Sequence, residues 1–265
     1  MGSLWIDHIR PTISTTIFPF SKHPPVAMST ALHTIDHIYL RVHNAGVVHQ
    51  ELVEKAGLPV AWPFCSVADG LASGAVSLGN LILELVQVDT ACTALPFIPT
   101  YGVALAPGST LEDSRAWAAA RDIEMDADDS FYGSGDQLLW TRAALPQLSG
   151  DTLDTFFCHY TADQWPLRAG AGEQLARSEG GPLGITGVEA LIVTSARCRL
   201  PQTAETWSRM AMDRGDRGGP AVRVVAGEDE GLQGLTIRVR DVEAAERKFK
   251  ELLPHFPDSL RWQFI

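Results

Sequence analysis

Thr34-Ile35-Asp36-His37-Ile38-Tyr39-Leu40-Arg41-Val42, with the helical stretch Asn44 to Gly57 and the runs Ala72 to Leu78 and Leu81 to Val88 behind it, decides how this chain folds. In the opening run apolar and polar residues alternate with the period of two that a half-buried strand needs. His37 therefore sits on a strand. Val47, Val48, Leu52 and Val53 then recur at helical spacing, and Gly57 supplies a stop. The two later runs read as strands joined at Gly79-Asn80, a dipeptide that tolerates the positive φ angles of a tight hairpin turn. With Ala61 to Val67 as the weakest strand, the unit is β-α-β-β-β.

A second unit of the same order follows a proline-containing connector from Thr90 to Thr100. Tyr101 to Ala106 is a strand, and Ser109 or Thr110 caps a helix from Leu111 to Arg121 whose first turn carries Glu112 and Asp113. Gln137 to Ala144 and Thr155 to Thr161 are strand-like and rich in aromatics. Between them and the helix, Glu124, Asp126, Asp128 and Asp129 lack the glycine and the closing glutamate of a calcium loop, and read as a solvated turn.

Glu84 lies inside Leu81-Ile82-Leu83-Glu84-Leu85-Val86, and a carboxylate among that many aliphatics is costly to bury unless paired, hydrogen-bonded or bound to a cation. If its strand lies beside that of His37, both side chains point into one concave face. The order Ile35-Asp36-His37-Ile38, helix, Gly79-Asn80, Leu83-Glu84-Leu85 resembles the first module of the vicinal oxygen chelate superfamily, in its glyoxalase-like branch. Leu139-Trp140-Thr141-Arg142 with the aromatic strand after it is similar to the same branch. The resemblance covers most of Thr34 to Pro254.

It implies an α+β fold in which tandem βαβββ modules pair into a cupped mixed sheet with helices on the outside. It also implies a divalent metal in the cup, with ligands from the first and last strands of each module. Laid on the first unit, Phe156-Phe157-Cys158-His159-Tyr160 matches Leu81 to Leu85 and sets His159 opposite Glu84, while Gly102 stands where His37 does. The implied ligands are then His37, Glu84 and His159, a two-histidine, one-carboxylate set suited to Fe2+, Mn2+, Ni2+ or Zn2+. With glycine at the fourth position, a vestigial site whose three side chains only line a cavity stays open. Tyr39, on the face of His37, and Arg142 are the candidate catalytic partners, with Trp140 as a pocket wall.

Isomerase, lyase, dioxygenase and thiol-transfer chemistry all run on this scaffold, on a small organic substrate held through vicinal oxygens, and the two-histidine, one-carboxylate set tilts the choice toward non-haem iron dioxygenation or metal-assisted isomerisation. The alternative is a metal-free protein that binds and sequesters a small molecule, as bleomycin-resistance relatives do. The sequence leaves open whether two chains form a homodimer.

Composition narrows the partners. A formal charge of −11 over 265 residues disfavours nucleic acid and anionic membrane, both of which need a cationic surface. No run approaches the roughly 20 apolar residues of a membrane span. Cys65, Cys92, Cys158 and Cys198 are scattered without a C-x-x-C pair, the pattern of free thiols in a reducing, cytoplasmic setting. No phosphate-binding glycine loop or nucleophile elbow is present.

Three regions are expected: an N-terminal arm over 1–30, disordered or loosely docked; the paired modules over 31–170; and a third, degenerate module region over 171–265. The glycines of Ala169 to Gly181 mark a linker. Gly184 to Val193 repeats the strand opening, Thr203 to Met212 is helical, and Ala221 to Ala226 and Leu235 to Val239 are strands. Asp241 caps a helix from Val242 to Leu253, and Leu260 to Ile265 closes as an edge strand. Arg238 and Arg240 share a sheet face.

Overall fold

The computed structural model describes residues 34–68, 70–89, 98–106, 110–132, 138–161, 165–210 and 219–265, with backbone only at 165–168. The expected arm over 1–30 lies outside them. The first unit runs β1 (Thr34–Arg41), α1 (Ala45–Gln50) with a wider turn over Glu51–Lys55, β2 (Val60–Ala68), β3 (Leu71–Ser77) and β4 (Ile82–Val88). The second runs β5 (Tyr101–Ala106), α2 (Leu111–Ala119), β6 (Asp129–Tyr132), β7 (Leu138–Ala144) and β8 (Leu153–Tyr160). Both are βαβββ modules.

They join into one eight-stranded mixed sheet, β2-β3-β4-β1-β5-β8-β7-β6. At its centre β1 and β5 run antiparallel, and each has the last strand of its own module parallel on its other side. The two halves are thus related by a pseudo-twofold axis between β1 and β5. Alternation sorts the side chains. Ile38, Leu40, Val103, Leu105 and Phe157 lie in the main core, while Tyr39, Val86, Ala104, Phe156 and Cys158 form a separate cluster on the other, concave face. Thr110 caps α2 as the hydroxyl pattern indicates, its Oγ1 accepting from the Asp113 amide at 3.1 Å.

The last third differs from one degenerate module. Its strands β9 (Ile185–Ala196), β10 (Ala221–Gly227), β11 (Gly231–Val239) and β12 (Arg261–Phe264) form a second sheet, β10-β9-β11-β12. With α4 (Leu200–Arg209) and α5 (Val242–Leu252) this makes two βαβ units whose first strands pair antiparallel and whose last strands flank them in parallel. That is the arrangement of the first sheet with the second and third strands of each module removed. Most of the glycine-rich stretch expected as a linker, up to Arg177, is helical in α3 (Trp165–Arg177). Its Leu175 and the β9 residues Val188 and Leu191 belong to the same buried core as β1. Arg238 and Arg240 face Glu189 and Glu179 at 3.4 and 2.7 Å as surface pairs. Among the described residues no helix is long and apolar enough to cross a membrane.

Candidate functional site

The site begins with an irregularity in β1. Ile35 pairs with Leu105 and His37 with Ala104, so Asp36 is an extra residue, a β-bulge in the seam between the modules. Strict alternation would send neighbouring side chains to opposite faces, but a bulge re-aims one of them. Asp36 Oδ2 lies 2.7 Å from His37 Nδ1, and both side chains are about 95% buried, at 4% and 5% exposure. His37 Nε2 faces Glu84 Oε2 at 3.4 Å, longer than a well-formed hydrogen bond. Asp36, His37 and Glu84 therefore form a line. Trp62 and Phe156 stand edge-on to the imidazole, with ring centroids 5.8 and 6.3 Å away.

The pseudo-twofold tells what stands opposite. With the axis through the Ile38·Val103 pair, which brings the strand ends Arg41 and Ala106 into correspondence, it exchanges the ladder pair His37·Ala104 with Tyr39·Gly102, so Gly102 is the counterpart of His37 and Ala104 that of Tyr39. Glu84 pairs with Tyr39, and Phe156 pairs with Ala104, so the counterpart of Glu84 is Phe156. One half of the cup carries an imidazole and a carboxylate. The other carries a glycine and a phenyl ring.

Tyr39 lies over Gly102, and its ring packs near Phe156 with centroids 6.3 Å apart. Burial, reinforced by the Asp154 carboxylate, pushes its phenol far above the ordinary value and keeps it protonated. Arg142 reaches into the same half: it donates to Asp154 at 2.7 Å and sits 4.9 Å over the Phe156 ring. Burial raises the Asp154 carboxyl, and the guanidinium only partly opposes this. Burial also lifts the Cys158 thiol to about 12.

Of the five residues singled out from the sequence, His37, Glu84, Tyr39 and Arg142 share the concave face. His159 does not join them. Register pairs Cys158 with Arg142 and His159 with Thr141, and Phe157 beside it is in the main core, so alternation turns His159 to the opposite face. Matching the strands by their apolar runs misplaced the counterpart of Glu84 by three residues, because both strands are apolar on both faces. The sequence assigns Asp36 no role, although a carboxylate directly before a strand histidine is the signal for one.

A divalent metal can be tested against these residues. His37 and Glu84 offer two donors at a suitable mutual distance, and Asp36 fixes the imidazole as metal-bound histidines require. Catalytic centres take three protein ligands as a rule. The positions that would complete this one are Gly102 and Phe156, and Asp154 is engaged by Arg142. Among the described residues no three His, Cys, Asp or Glu side chains are grouped to hold an ion. These residues do not fit a resident metal centre.

No protein-family profile and no curated protein sequence matches the chain. Solved structures do. A triple variant of 4-hydroxymandelate synthase from Streptomyces coelicolor superposes with a TM-score of 0.53 at 15% identity, over 84% of this chain and 75% of that one. Homoprotocatechuate 2,3-dioxygenase from Brevibacterium fuscum, in complex with 3,4-dihydroxyphenylacetate, gives 0.51 at 9% identity over 89% and 72%. A hypothetical protein from Staphylococcus aureus gives 0.50 at 12% over 78% and 91%. At these identities the likeness is one of fold.

Proposed function

We propose that this chain, whose fold is that of the vicinal oxygen chelate superfamily, is an enzyme moving protons on a small organic molecule, of isomerase or lyase kind, without a resident metal. The observation that carries the reading is the buried line Asp36–His37–Glu84 on the concave face. With Nδ1 held by a carboxylate, the imidazole presents Nε2 to the cup in one orientation. The 3.4 Å gap to Glu84 leaves Nε2 able to take a proton from a bound carbon or oxygen acid. Tyr39, held protonated by burial, donates a hydrogen bond to the oxyanion that develops, and Arg142, fixed by Asp154, adds positive charge beside it.

The test is deuterium incorporation from D2O into a panel of small carbonyl compounds, followed by NMR with chelator present. Incorporation is expected for some member of the panel, falling at least ~100-fold in His37→Gln. About one equivalent of divalent metal in the purified protein, lost in both His37→Ala and Glu84→Ala, would overturn the reading and make the cation the working group. Tyr39, Phe156, Trp140 and Tyr160 on the other half of the cup favour a second reading, a metal-free protein that sequesters an apolar or aromatic compound. That protein would bind members of the panel saturably and incorporate no deuterium.

A further inference from the structure

We infer that Tyr39 and Gly102 are a matched pair that closes the second-module half of the cup to a cation. The inference deepens the metal-free reading above and rests on it. Gly102 sits inside a central strand, paired on both sides, where glycine weakens a sheet and is kept for a reason of space or backbone angle. Its backbone is not the reason: Gly102 is absent from the glycines with positive φ. Space is. A Cβ at 102 would lie 1.9, 2.2 and 2.6 Å from Cε1, Cδ1 and Cζ of Tyr39, well inside contact distance. Those atoms belong to a buried ring packed with Val86, Ala104 and Phe156, not to the loose end of a long side chain.

A donor side chain at 102 and a tyrosine at 39 therefore exclude each other. Because the twofold makes 102 the counterpart of His37, the ring of Tyr39 lies against the place from which a second-module donor would reach the centre. Phe156 at the counterpart of Glu84 completes the closure, packed by the Tyr39 ring on one side and covered by the Arg142 guanidinium at 4.9 Å. The cup is asymmetric by construction: polar chemistry at the His37 pole, an aromatic wall at the other. Tyr39 is in this sense a specificity-determining residue, deciding what the centre admits.

Two measurements test this. The first is a double-mutant cycle on thermal stability: Gly102→Ala should lower Tm by about 4–10 °C in the wild-type chain, and by less than half of that in a Tyr39→Ala background. Equal losses in both backgrounds would sink the pairing. The second titrates Ni2+ or Zn2+ alone into the wild type and into the triple variant Tyr39→Ala/Gly102→His/Phe156→Glu, with circular dichroism confirming the fold. About one equivalent bound at least ~100-fold more tightly by the triple variant is expected; a folded triple variant binding no more tightly than wild type overturns the closure. Tight stoichiometric binding by the wild type, lost in His37→Ala while the stability cycle still shows coupling, would instead defeat the metal-free reading and leave the packing of the pair intact.

Discussion

Cys158 and His159 are neighbours in the chain and strangers in the fold, and the difference between them is one step of strand alternation. The cup receives the thiol, and burial lifts it to about 12, so hardly any thiolate exists at neutral pH. Native protein treated with iodoacetamide at pH 8 should be modified at the exposed Cys65 and Cys198 and spared at Cys158, as read by peptide mass spectrometry; labelling of Cys158 before unfolding would contradict the packing. The same scale holds the clearest limit of sequence reading. His37 and Glu84 were legible because a polar group inside an apolar run is conspicuous. Gly102 was legible as the counterpart of His37, but the counterpart of Glu84 was not, since Leu81 to Leu85 and Phe156 to Tyr160 are apolar on both faces and alternation cannot assign a face there. Asp36→Asn weakens the hold on the imidazole, and we expect about a tenfold loss of deuterium incorporation with the fold retained by circular dichroism.

Among the elements, both βαβββ orders could be read in advance, because period-two runs, a Thr110 cap and the Gly79-Asn80 turn are local signals. The helix α3 was not legible. Gly170 and Gly172 each disfavour a helix interior by about 1 kcal/mol relative to alanine. The fold supplies the reason for one of them: a Cβ on Gly172 would lie 2.8 Å from the carbonyl oxygen of Gly79, so α3 passes against the β3–β4 turn as only glycine allows. A second residue of that turn fastens the two sheets together. Asn80 donates to the Val188 carbonyl at 2.9 Å and accepts from the Val188 amide at 2.7 Å, a two-bond imitation of strand pairing. Asn80→Ala leaves both backbone groups without these partners and should cost about 1–3 kcal/mol in urea unfolding, with faster hydrogen exchange at the Val188 amide. Unchanged exchange there would show that the sheets are held elsewhere.

At the scale of the molecule, acid should loosen the fold in two stages. His49 on α1 is buried with Nε2 unpartnered, and burial lowers its value below the ordinary 6.5. The unfolded chain then binds that proton more readily than the folded one, so the contribution is full above about 6.5 and is lost as pH falls from there through the folded value. Glu51, which opens the wider turn of the first helix, meets His255 from the far end of the chain at 2.7 Å and Lys55 at 2.8 Å. Burial alone would raise its carboxyl, but these hydrogen bonds outweigh it and hold the group below the ordinary 4.5. This second contribution is present above 4.5 and is lost as pH drops through the folded value. Urea midpoints measured from pH 8 to pH 3 should fall first below about 6.5 and again below about 4.5, and His49→Gln should flatten the first step only.

The bulge at Asp36 has one more implication. Downstream of it the parallel register of β1 on β4 is unbroken from His37 to Arg41, so the architecture does not depend on the inserted residue. A lineage that dropped this single codon would keep its scaffold and forfeit the anchor of its imidazole, and one that gained it would acquire that anchor at a stroke.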